Sequence, residues 1–160
     1  MAAAETTFRK LRFADAAAAV AEAESLAAAE AAGTLRRSGN WSLGQALGHC
    51  AAWADYAYDG YPPAAMPPWP LKVMLRMIRR KLLNQGMMRG IKIRGAPGGT
   101  FATDVIPADE GLRQFRAAFE RLVASPPTQP NPIFGPLTPA EWLALNLRHA
   151  ELHLGHFDRG

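Results

Sequence analysis

The stretch TPAEWLALNLRHAELHLGHF, Thr138 to Phe157, decides the fold. Thr138 suits a helix N-cap, Pro139 the first helical turn, and Glu141 stands three residues past the cap, where a capping box needs it. No Pro or Gly interrupts the run from there to Gly155. At 3.6 residues per turn, Trp142, Asn146, His149, His153 and His156 share one seam, and Leu143, Leu147, Ala150, Leu154 and Phe157 the next. So wide an apolar seam predicts a helix over 138–157 buried in a bundle, with polar side chains beside the seam instead of opposite it. Imidazoles at i and i+4 lie about 6 Å apart at Cβ and can converge on one point. A metal ion is the simplest thing that needs two nitrogens there. The alternative is a set of histidines that hydrogen-bond neighbouring backbone.

A second histidine-bearing helix is predicted over 42–59, SLGQALGHCAAWADYAYD, with Ser42 and Gln45 as its capping box. Gln45, His49, Trp53 and Tyr56 form its seam. One histidine here and an HxxxH pair on another helix is how metal sites are built inside bundles. Three neutral imidazoles, His49, His149 and His153, would leave open positions on a divalent ion, as reactive sites do. Gln45, Trp53, Tyr56, Trp142 and Asn146 share the two seams and are the candidate pocket residues. Glu151, two residues past His149, points about 200° round the helix and cannot act as a base for that ion. Cys50 is rotated about 100° from His49 and reads as a small buried residue.

Three further helices are expected. Residues 14–32 are Ala- and Glu-rich and stop at Gly33. Residues 109–124 carry an apolar stripe of Leu112, Phe115, Phe119 and Leu122. Between them, after the Pro-rich connection 60–70, lies a shorter inserted helix over 70–85 with a stripe of Leu71, Met74, Leu75, Ile78 and Leu82 and basic flanks. The usual role of such a helix is to pack its stripe on the bundle and leave its charges in water. Gly86 to Pro107 is Gly-rich and irregular, with at most short extended pieces at 91–93 and 103–106. An irregular loop so long is expected to cover something, and here it could wall the histidine site. Gly95 to Thr100 lacks the GK[ST] ending of a phosphate loop. The fold class is therefore all-α: a four-helix bundle with one shorter extra helix and a long irregular loop, in a single domain over 1–160.

Two blocks, NWSLGQALGHCA (Asn40 to Ala51) and NPIFGPLTPAEWLALNLRHAELHLGHF (Asn131 to Phe157), resemble those of an uncharacterised branch of the DinB-like superfamily. That resemblance implies a small helix bundle with a three-histidine metal site, His49, His149 and His153 standing in the ligand positions. It also implies a metal-dependent enzyme, a thiol-dependent transferase or a hydrolase. The ion would be zinc, nickel, iron or manganese, with a low-molecular-weight thiol as a further cofactor, a small-molecule substrate and a homodimeric state. The chain departs from the branch at Leu152, where members commonly carry His, and at His156, where Gln is frequent. His156 is thus expected to orient a ligand or stand at the site's mouth, with a fourth ligand position as the lesser alternative.

Composition bounds the alternatives. The chain has 160 residues, 49% of them hydrophobic, and a net charge of +4. One cysteine excludes an intrachain disulfide, no signal-peptide pattern is visible at the N-terminus, and a cytoplasmic location is expected. No acidic residue stands between Asp59 and Asp104, a stretch that holds eight Lys and Arg. This favours, as the second reading, a non-catalytic bundle that binds a ligand or partner through its basic amphipathic helix. Aromatics are not interleaved with the basic block, so nucleic acid is not an expected partner. Contact with a membrane surface or an acidic partner is the sharper reading of the basic helix, and packing on the bundle the expected one.

Overall fold

The computed structural model describes residues 7–160. Five helices carry the chain: α1 (Ala16–Ala31), α2 (Leu43–Asp59), α3 (Trp69–Gln85), α4 (Ala108–Ala124) and α5 (Pro139–Leu154). Helices α1, α2, α4 and α5 each touch the other three, whereas α3 packs on α5. The fold is thus an all-α bundle of four helices with a fifth on its flank. No helix among the described residues is long and apolar enough to cross a membrane.

Local chemistry sets the helix starts. Asp15 accepts the Ala18 amide at the start of α1. Ser42 with Gln45, and Thr138 with Glu141, form reciprocal capping boxes on α2 and α5. The core draws on the predicted stripes: Leu43, Leu47, Phe115, Phe119, Leu122, Leu147 and Leu154 are all buried. Two glycines let α2 and α4 cross closely. A Cβ on Gly44 would stand 2.1 Å from the Ile106 carbonyl oxygen, and one on Gly111 would stand 2.6 Å from the Gly44 oxygen.

Several expectations are corrected. The last helix stops at Leu154, with Gly155 as its cap, so His156 and Phe157 leave the seam. Phe157–Asp158 instead pairs antiparallel with Arg36–Arg37 in a two-stranded sheet that sequence periodicity does not reveal. Such a pairing joins the α1–α2 connection to the segment after α5, far apart in sequence, and leaves no local pattern. Helix α3 is not shorter than the others, at 17 residues against 16 for α1. Its apolar stripe is not buried as a whole: Leu82 is, but Leu71 and Met74 are 39% and 44% exposed. The reason is that α3 lies outside the bundle and packs chiefly on α5. The irregular 86–107 loop contains a short 3₁₀ turn at Pro97–Gly99 and no strand.

The N-terminal segment before α1 is tied to α5 through a buried ion pair. Arg148 donates to Glu151 at 2.8 Å and to the Phe13 carbonyl at 2.7 Å. Glu151 accepts the Phe13 amide at 2.6 Å. Glu151 therefore serves the fold on the side of α5 away from the histidines.

Candidate metal centre

Helix α2 projects His49 and helix α5 projects His149 and His153 toward one point. His49 Nε2 lies 3.2 Å from His149 Nε2, and His153 Nε2 lies 3.1 Å from the same atom. The ligand atoms of all three are within 4.8 Å of one another. Nitrogens bound to one ion at about 2.0–2.1 Å, with angles between about 90° and 110°, stand roughly 2.9–3.4 Å apart. Both spacings to His149 fall inside that range, and the third pair, His49 to His153, lies within 4.8 Å.

Proton bookkeeping favours a cation here. His49 Nδ1 is 2.9 Å from the Phe101 carbonyl oxygen, which can only accept, so Nδ1 carries the proton. His49 Nε2 is then a bare lone pair aimed at its two neighbours. A single proton among three converging nitrogens makes one good hydrogen bond and leaves lone pairs opposed, whereas one cation meets all three. The bond from Nδ1 to a backbone carbonyl also fixes the ring and raises its basicity toward a metal, the usual support for a histidine ligand.

Burial favours the neutral, ligating form. It pushes His49 down to about 4, against the opposing pull of the bonds to the backbone at Phe101 and Ala102. His149 and His153 are held well below the ordinary histidine value, chiefly by loss of solvent, then by the charge of His153 and His49 for His149 and of His49 and His156 for His153. Cys50 is buried, and that burial pushes its thiol far up, so it is no nucleophile.

Aromatic rings wall the centre. Trp53 sits 5.8 Å from both His49 and His149, ring centre to ring centre, and donates its Nε1–H to the Phe101 carbonyl. The loop 86–107 thus closes one side of the site, as its length suggested. Its turn at Phe101 needs a left-handed residue, and Ala102 adopts φ 56°. Gln45 donates to the Thr103 carbonyl at 2.8 Å, so it secures this loop and caps α2.

The other candidates spread away from the ion point. Tyr56 stacks edgewise on Trp53 and, with Tyr61, Met66 and Trp142, lines a cavity of about 260 Å³. Trp142 is buried against Leu83 and Leu145, and its indole N–H has no acceptor among the described residues. Asn146 is buried and donates to the Trp142 carbonyl of its own helix. His156, off the helix, meets Ser38 Oγ at 3.0 Å through Nδ1 and packs on Phe8.

Two site features lie outside the sequence reading. Trp41 stacks flat on His153, 4° from parallel at 5.1 Å, and meets His49 edge-on at 4.9 Å. Its position just before the Ser42 cap was the available signal, since a side chain there folds back on the first turns of the helix. The Phe101 carbonyl is main chain and leaves no mark on composition or spacing.

The family described as protein of unknown function (DUF1569) matches residues 5–159, nearly the whole chain. The chain belongs to the DUF1569 family. Both histidine-bearing helices of this DUF1569 protein lie within the matched region. No curated protein and no solved structure matches the chain.

Proposed function

We propose that this DUF1569 protein is a metal-dependent enzyme of the DinB-like kind. In this reading His49, His149 and His153 hold one divalent ion, and the protein transfers or hydrolyses a small molecule. The observation that carries the reading is the meeting of three Nε2 atoms, 3.1 and 3.2 Å apart in two pairs, among rings that burial keeps neutral. Such an ion supplies Lewis acidity and lowers the pKa of a bound water or low-molecular-weight thiol. The chain's own residues do the rest. The Phe101 carbonyl holds His49 in the tautomer that presents Nε2. Trp41 and Trp53 shield the centre from bulk water, which strengthens charge interactions inside it. The substrate body occupies the cavity beyond Trp53, between Tyr56, Tyr61 and Trp142.

Elemental analysis of tag-free protein tests this directly. One equivalent of a transition metal is expected, lost on His49→Ala and on His153→Ala while helical content persists. Equal metal content in the wild type and both variants sinks the reading.

A further inference from the structure

We infer that the outward face of α3 is a docking surface for an anionic lipid surface. The observation is a helix that keeps apolar side chains in water. Val73 is 48% exposed and Met77 is 80% exposed, while Leu82 and Leu83 on the far side are buried. At 100° per residue, Pro70, Val73, Met74 and Met77 form the centre of the outer face. Trp69, 77% exposed, and Arg80 flank that centre on one side, and Lys81 stands on the face itself, one turn past Met77. The exposed apolar residues run from Trp69 to Met77, about 12 Å of helix, and Arg80 and Lys81 follow on the next turn. An apolar patch with an aromatic and cations beside it is the layout of a helix that lies in a headgroup layer.

Charge selects the occupant. The whole span between Asp59 and Asp104 carries eight Lys and Arg and no acidic residue. A second copy docked through the same face would bring no anion to Arg80 and Lys81, since α3 carries no acidic residue. Nucleic acid would neutralise the cations but leave Val73, Met74 and Met77 in water. A bilayer with negative headgroups meets both demands, since the cations stay at headgroup level and the apolar strip enters the acyl boundary. Docking would leave α5 and its histidines undisturbed, because α3 holds the bundle by its opposite side. Its Arg79 donates to the Phe134 and Pro136 carbonyls, and Leu83 packs on Trp142 and Leu145.

The test is flotation of the full chain with two kinds of vesicle, phosphatidylcholine alone and phosphatidylcholine with about one-third phosphatidylglycerol. Binding to the anionic vesicles only is expected, with a blue shift of tryptophan emission that Trp69→Phe removes. The double variant Val73→Asp with Met77→Asp should bind at least roughly tenfold more weakly. Arg80→Glu with Lys81→Glu should lose roughly fivefold or more per charge. All four positions are exposed, so circular dichroism should be unchanged. Three results would overturn the inference. One is no binding to anionic vesicles. Another is binding untouched by the aspartate pair, which marks mere charge adsorption of the kind an acidic protein would also give. The last is a homodimer that the aspartate pair splits while neither vesicle binds.

Discussion

Glu151 holds the fold together on the side away from the histidines, whereas Ala102 holds the turn that supports them. Glu151 is buried and shared by Arg148, Arg12 and the Phe13 amide. Removing it leaves the Arg148 guanidinium buried without its anion, so Glu151→Ala should cost about 3–5 kcal/mol in urea unfolding. Metal content per folded molecule should not change, because Glu151 faces away from the histidines. Ala102 adopts φ 56°, which an L side chain tolerates poorly and a β-branched one hardly at all. Ala102→Gly should therefore leave stability within about 1 kcal/mol, whereas Ala102→Val should lose roughly 1–3 kcal/mol. The valine variant should also weaken metal retention, because the same turn presents the Phe101 carbonyl to His49 and Trp53. Equal unfolding midpoints for the two variants would show that the turn is not strained.

Among the elements, α2 carries most of the constraint. It bears His49, lines the cavity with Tyr56, and crosses α4 at Gly44 and Gly111. The added methyl of Gly44→Ala would meet the Ile106 carbonyl at 2.1 Å, and main chain cannot swing aside as a side chain can. A loss of about 1–3 kcal/mol is expected, measured by thermal unfolding. Because Ile106 ends the loop that holds Phe101, metal retention should fall with stability. By contrast Gly48 faces the flexible end of the Ile106 side chain, and Gly48→Ala should be milder. Helix α3 behaves differently. It is anchored on one side to α5 and bare on the other, so substitutions on its outer face should change surface binding and not folding.

For the whole molecule, the three histidines couple stability to pH. His49 has a folded pKa of about 4 against an ordinary 6.5, and His149 and His153 are also lowered. Below pH about 6.5 the unfolded chain takes up protons on these rings that the folded metal-free protein refuses. Metal-free stability should thus be insensitive to these groups above pH 6.5 and fall as pH drops toward 4. His49 alone should account for about 3 kcal/mol of that loss. Urea titrations from pH 8 to 4 on chelator-treated protein check this, and His49→Gln should flatten the curve. Metal should add stability in the same titrations, about 2.7 kcal/mol at a hundred times its dissociation constant. That gain should shrink as protons compete for the same lone pairs.

What the sequence determined by itself is local and periodic. Caps at Ser42 and Thr138, apolar stripes on four helices, and the i, i+4 relation of His149 to His153 follow from spacing, because helix geometry turns spacing into direction. The placement of His49 among the site residues was legible too, since bundle helices direct their inner seams at one another. Tertiary structure alone decided the remainder. Trp41 reaches His153 because Arg36–Arg37 pairs with Phe157–Asp158 and draws the loop before α2 across the end of α5. Phe101 reaches His49 by a backbone atom, which no residue type announces. Helix α3 shows an amphipathic pattern whose apolar side meets water, since burial depends on which neighbours surround a helix, and periodicity says only which side chains travel together.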